Sequence, residues 1–174
     1  MDLRKMATFA LALAFLGSIA TFAAQKQKAA ASKPAGSAKL EELLNAAEIP
    51  FNRAEEGHYA AVFSTGQNES EKFHIYLEHL GDDPNQERLQ FYRMYFLLGQ
   101  MPNGVAVPSA LIKQINAWNT NLSMGKVIAV EGSIMYVCTA WLFQADASSL
   151  VQDAAVGHYA SDDLRKSVAP YLKQ

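Results

Sequence analysis

Between Leu89 and Leu98 the chain reads LQFYRMYFLL, with a single charge at Arg93 and large apolar or aromatic side chains on both alternations. Side chains on an extended strand point alternately to opposite faces. Phe91, Tyr95 and Leu97 therefore share one face, and Tyr92, Met94 and Phe96 share the other. Such a strand must be covered on both sides or leave apolar area in water. Two stretches before it are also extended. Tyr59 to Ser64 is aromatic and β-branched and is entered through Glu55-Glu56-Gly57, while Lys72 to Leu80 alternates Phe73, Ile75 and Leu77 against His74, Tyr76 and Glu78. The connections Gly66-Gln67-Asn68 and Gly81-Asp82-Asp83-Pro84-Asn85 carry residues that supply a positive or fixed φ. The expected unit is an antiparallel meander.

Helical spacing flanks this meander. Ser37 is placed to cap a helix repeating through Leu40, Leu43, Leu44 and Ala47, with Glu41 and Glu42 in its first turn and Pro50 ending it. Pro108-Ser109 opens a second helix, on which Leu111, Ile112, Ile115, Trp118 and Leu122 form one apolar stripe that Gly125 stops. That stripe predicts a buried Trp118. Lys126 to Val130 and Ser133 to Phe143 read as strands joined at Glu131-Gly132, a tight hairpin. Asp146 caps a helix carrying Leu150, Val151, Ala154 and Ala155. Gly157 is expected to break it, and Ser161-Asp162-Asp163 to start a last set of turns through Val168, Tyr171 and Leu172. The order α-βββ-α-ββ-α predicts an α+β domain, an antiparallel sheet of about five strands packed by helices.

The N-terminus has a different character. Arg4 and Lys5 precede the uncharged run ATFALALAFLGSIATF from Ala7 to Phe22, and Thr21-Phe22-Ala23 offers small residues where a signal peptidase reads. Basic start, apolar core and small-residue exit predict a signal peptide over 1–23. A retained membrane anchor and an unprocessed helix are the alternatives. The 19 uncharged residues from Ala7 to Gln25 come near the ~20 that span a bilayer, but alanine and Gly17-Ser18 make the span weak. Residues 24–39, rich in lysine, alanine, Pro34 and Gly36, read as a flexible linker. The expected location is periplasmic or secreted, with membrane contact only if the first segment stays attached.

Removing 1–39 changes the charge balance. The full chain of 174 residues carries −2, but six of its 15 basic residues lie in 1–39 with only one acid. The domain 40–174 keeps nine basic and 16 acidic residues, a balance that repels a phosphate backbone and argues against nucleic-acid binding.

Residues Ile115-Asn116-Ala117-Trp118-Asn119, Gly125-Lys126-Val127 and Val130-Glu131-Gly132, with the strand to Phe143 and the helix beyond, resemble the YbjN family of bacterial sensory-transduction regulators. In that family an Ile-Asn-x-Trp-Asn-like helix end precedes a strand, an acidic-Gly turn, a second strand and a long helix. The resemblance runs from the second helix to the C-terminus, roughly 60 residues. It implies a fold similar to type III secretion chaperones and a role in binding or regulation. Two features differ: family members are often cytoplasmic without a signal peptide, and the last helix here is expected to break.

Motifs for chemistry are sparse. His74-Ile-Tyr-Leu-Glu78-His79 spaces its histidines five apart, one more than a zinc-binding helix requires, and on a strand His79 points away from His74. Gly125-Lys126 lacks the rest of a phosphate-binding loop, and Asp82-Asp83-Pro84-Asn85 lacks the glycine and distal glutamate of a calcium loop. Cys138, the only cysteine, sits between Val137 and Thr139 with no basic neighbour in sequence to activate it. No catalytic, metal or cofactor residue is therefore assigned. Two functions remain open. The first is an exported non-enzymatic module that binds a protein, a peptide or a second copy of itself, using sheet surface or an unpaired strand edge. The second is a small cell-envelope hydrolase or ligand-processing enzyme, which would gather His58, His74, His79, His158 or the acids in one pocket.

Overall fold

A computed structural model describes residues 35–172, apart from 56, 66–68 and 84–85. The expected signal segment, most of the expected linker, and the turn residues 66–68 and 84–85 lie outside the described residues. The fold is α+β. In chain order the elements are α1 (Ala35–Ala46), β1 (Phe51–Glu55), β2 (His58–Ser64), β3 (Ser70–His79), β4 (Gln90–Gln100), α2 (Ser109–Asn121), β5 (Lys126–Val130), β6 (Ser133–Trp141) and α3 (Ala147–Val168). The strands form one antiparallel sheet in the order β1-β2-β3-β4-β6-β5.

The sheet has six strands rather than about five. The additional one, β1, is FNRAE, whose residues are exposed except for a partly buried Phe51, so no alternation announces it. It is held by pairing Phe51 with Ala61 and Arg53 with Tyr59 in a hairpin that turns at Gly57, φ +73°. The hairpin between β5 and β6 forms where expected, with Glu131 and Gly132 at φ +50° and +82°. Two positive φ values match the right-handed twist of the flanking strands.

The three α-helices of the described residues pack on one face of the sheet. Leu40 and Leu44 of α1, Leu111 and Ile115 of α2, and Leu150, Ala154, Leu164 and Val168 of α3 join Tyr59, Ala61, Phe73, Ile75, Tyr92, Met94, Phe96, Val127 and Ile134 in a single core. Phe73 and Phe96 stack across the β3–β4 pair at 5.0 Å.

Three sequence expectations are corrected here. The first helix begins at Ala35, inside the expected linker, so Ser37 is a buried residue of its first turn and not its cap. The last helix does not break. It runs unbroken from Ala147 to Val168, with Asp146 as cap in a reciprocal capping box with Ser149. Gly157 sits inside it because the ring of Phe96 occupies the space a Cβ would need. Close helix–sheet approach explains that glycine; chain termination does not. Ser161 is buried, and Asp162 pairs with Lys166 one turn on, at 2.8 Å, in the manner of an exposed helical pair. Third, Trp118 is only partly buried, at the margin of the core beside Leu122, while Ile112 of the same stripe is 46% exposed. The helix covers the sheet's end, so its apolar stripe is wider than the surface available to it.

Candidate functional site

With the helices on one side, no described residue forms a layer over the opposite face of the sheet. Register places its residues in rows. Across β2, β3, β4 and β6, one row is Ala60, His74, Tyr95 and Val137, extended by Lys126 of β5; the next is His58, Tyr76, Arg93 and Thr139; a third runs through Glu78, Phe91 and Trp141. Leu97 and Met135 pair farther along.

These side chains contact one another closely. His58 stacks on Tyr76 at 4.1 Å, and Tyr76 meets Tyr95 edge-on at 5.2 Å. Phe91 is sheltered by the edge of Trp141 at 5.8 Å and by the guanidinium of Arg93, 5.1 Å from its ring. Arg93 directs Nη1 to Glu78 at 3.0 Å. Leu97 at 49%, Val130 at 49% and Trp141 at 39% remain exposed. The result is a largely aromatic surface with a few paired charges.

Of the four histidines, the fold brings two together. His58 Nε2 lies 2.9 Å from His74 Nδ1, and the Glu55 carboxylate lies 3.6 Å from His58 Nδ1. Burial and the neighbouring His74 hold the His58 imidazole below its ordinary range, with Glu55 opposing them in part. Burial also raises the Tyr76 phenol, aided by Glu55 and Tyr95. His158 is elsewhere, on α3, its Nδ1 3.6 Å from Glu71 in a cluster where Arg165 clamps Glu71 through both terminal nitrogens. His79 ends β3, and its side chain points away from the open face. Among the described residues, no three histidine, cysteine, aspartate or glutamate side chains converge to hold a metal.

Asp153 accepts from the Tyr92 hydroxyl at 2.7 Å on the helix-covered face, where burial raises its carboxyl. Burial pushes the Cys138 thiol up to about 11, which leaves it a small apolar residue beside Tyr136.

A concavity of about 420 Å³ lies on the open face over β4, β6 and β5, lined by Arg93, Tyr95, Gly125, Lys126, Ile128, Val137 and Thr139. None of the histidines or paired acids named from the sequence lines it. The sequence marked Gly125-Lys126 as a helix stop, a family-like segment and an incomplete phosphate loop, none of which points to a pocket. Alternation in β5 and β6 could have placed Lys126, Val137 and Thr139 on one face, but strand order was needed to set them beside Arg93.

The sheet edges are closed by other means. Asn119, at the end of α2, accepts from the Val127 amide at 2.7 Å and donates to the Val127 carbonyl at 2.8 Å, which occupies both outward polar groups of that residue on β5. β1, at the other edge, is five residues long, charged at Arg53 and Glu55, and irregular between them. Short, charged and bulged edges resist added strands. Among the described residues, no helix is long and apolar enough to cross a membrane. No protein-family model and no curated protein matches the chain.

Proposed function

We propose that this chain is an exported, non-enzymatic module of the YbjN type that binds an extended segment of a partner protein on its uncovered sheet face. The observation that carries this reading is that face. A sheet face rich in aromatic residues, with Trp141 in water at one end and Leu97 and Val130 toward the other, presents apolar surface of the kind that marks an interaction site. Interfaces favour aromatic residues and arginine at their centres, and Tyr76, Tyr95, Trp141 and Arg93 supply both. The blunted edges direct a partner onto the face and away from the strand ends. Export is supported by the signal-like order of residues 1–23, and the family type by the motifs from Ile115 to Gly132.

The enzymatic alternative has one observation in its favour, the Glu55–His58–His74 row, in which a carboxylate orients an imidazole. A hydrolase also needs a nucleophile within hydrogen-bond reach of that base. The residues in register with His74 are Ala60 and Tyr95, neither of them a serine, threonine or cysteine.

An apolar-dye titration combined with sedimentation tests the binding reading. Dye should bind the wild type, and Trp141→Asp together with Leu97→Asp should abolish binding while the variant keeps a cooperative melt, lowered by the uncovering of Phe91. A chain that self-associates through this face should become monomeric in the same variant, which would identify the partner as a second copy. A monomer that binds no dye and no peptide would overturn the reading.

A further inference from the structure

We infer that the concavity over β4, β6 and β5 is a receptor for the C-terminal residue of a partner peptide, taking an apolar side chain and the free α-carboxylate together. The inference rests on the open face being the binding surface and specifies what that surface selects.

Charge is the first argument. The domain has 16 acidic residues against nine basic ones, yet the lining of this concavity holds two cations and no carboxylate. Lys126 makes no ion pair with any described residue. Arg93 uses only Nη1 on Glu78, at 3.0 and 3.1 Å, so Nη2 and Nε have no partner among the described residues. A carboxylate held by such donors gains charge-assisted hydrogen bonds, the stronger class. The Thr139 and Tyr95 hydroxyls line the same space and can donate as well.

Shape is the second argument. Val137 gives the concavity an apolar floor between the two cations, and Ile128 extends it on the far side of Lys126. Val137 pairs with Lys126 and Tyr95, Thr139, two residues on along the same face, pairs with Arg93, and Ile128 lies in the next row in the opposite direction. The volume of about 420 Å³ lies toward the lower end of the roughly 300–1,000 Å³ usual for ligand sites. The apolar contact and the anion must therefore be close together. A C-terminal valine, leucine or phenylalanine carries both on one Cα. An internal aspartate or glutamate carries its charge at the tip of its own side chain and leaves the floor to another residue.

The approach is open. Asn119 engages β5 from the α2 side, leaving Lys126 and Ile128 directed to the uncovered face. A chain entering across Tyr95 and Trp141 would keep the aromatic surface in use for the residues before the last one.

The test is calorimetric titration of the full chain with N-acetyl-Ala-Val-Phe as the free acid, as the C-terminal amide, and with dodecanoate in a third arm. The free acid should bind about tenfold more tightly than the amide, as loss of one charge-assisted bond requires. Lys126→Gln should narrow that difference several-fold with the melt unchanged, and a difference that Lys126→Gln leaves intact would overturn the assignment of the carboxylate to this concavity. Equal binding of acid and amide would overturn the carboxylate site yet leave the peptide-binding face intact. Failure of both peptides to bind at millimolar concentration would overturn the site, and if dye and longer peptides were also refused, the face with it. Dodecanoate binding more tightly than the peptide acid would overturn it in favour of a lipid site.

Discussion

The two faces of β4 carry nearly the same chemistry and do different things. Tyr92, Met94, Phe96 and Leu98 face the helices and are buried to within 5%. Phe91, Arg93, Tyr95 and Leu97 face outward, and burial falls along them from Phe91, which is shielded by Trp141, to Leu97, which is half in water. Apolar content cannot distinguish these faces, because each has two aromatic rings. The partners of the neighbouring strands do. On the inner face Phe96 has the Phe73 ring on one side and the Gly157 backbone against its edge. On the outer face Tyr95 has another tyrosine and a histidine row, all able to hydrogen-bond with water or a ligand. The folding face pairs its polar atoms with its own helices, as Tyr92 does with Asp153, and the outer face keeps some of them for a ligand.

That contrast predicts the largest effects. Phe96→Ala should destabilise the domain by about 3–5 kcal/mol, the range for truncating a core aromatic. Leu97→Ser, the adjacent residue on the other face, should stay within about 0.5 kcal/mol. Denaturant melts of the two variants compare the faces directly. Similar losses would mean that both faces are covered and that the binding surface lies elsewhere.

Gly157→Ala sharpens the comparison by its sign. Alanine in a helix normally gains up to about 1 kcal/mol over glycine. Here the new methyl would meet the buried Phe96 ring, a rigid neighbour, and overpacking of this kind costs about 1–3 kcal/mol. A net loss of stability is expected by thermal melt. A gain would show that α3 can move off β4.

Trp118→Ala should cost about 1–2 kcal/mol, below the core range, because the indole borders the core and is not enclosed by it. The same melts measure it. A loss as large as that of Phe96→Ala would mean that α2 sits deeper on the sheet than the exposure of Ile112 implies.

Much of the fold could be read in the sequence wherever one residue type has one physical use. The alternation of Phe73 and Ile75, the Asp146 cap and the Glu131-Gly132 turn each follow from local rules, and each forms. What failed was whatever depended on a distant partner. Gly157 reads as a helix breaker until Phe96 is placed beside it, sixty-one positions earlier in the chain. β1 has almost no apolar signal and exists through its pairing with β2. Ser37 has the chemistry of a cap but is carried into the core by residues before it. The open face was legible as an excess of apolar strand surface over helix cover. The Lys126–Arg93 concavity was not, because it is assembled from three strands whose order, β4-β6-β5, differs from their order in the chain.

The smallest expected effect belongs to the outer face and titrates. His58 stacks on Tyr76, points Nε2 at His74 and has Glu55 beside Nδ1. In the fold its proton affinity is lowered from the ordinary 6.5, by burial first and by His74 second. Below pH 6.5 the unfolded chain therefore takes up this proton before the folded chain does. Stability then falls as pH falls through that window to the folded value, and the contribution is fully present above 6.5. Melting temperatures at about pH 7.5 and about pH 5.5, for wild type and His58→Gln, isolate it from the other histidines. The wild type should lose more on acidification than the variant, with a gap smaller than any of the changes above, because Glu55 opposes the shift and water reaches the ring's surroundings. The same protonation would place a cation on the aromatic row beside the binding surface. If His58→Gln shows the same acid loss as the wild type, the histidine pair carries no linkage. The outer face then differs from the inner one with no contribution from the proton on His58.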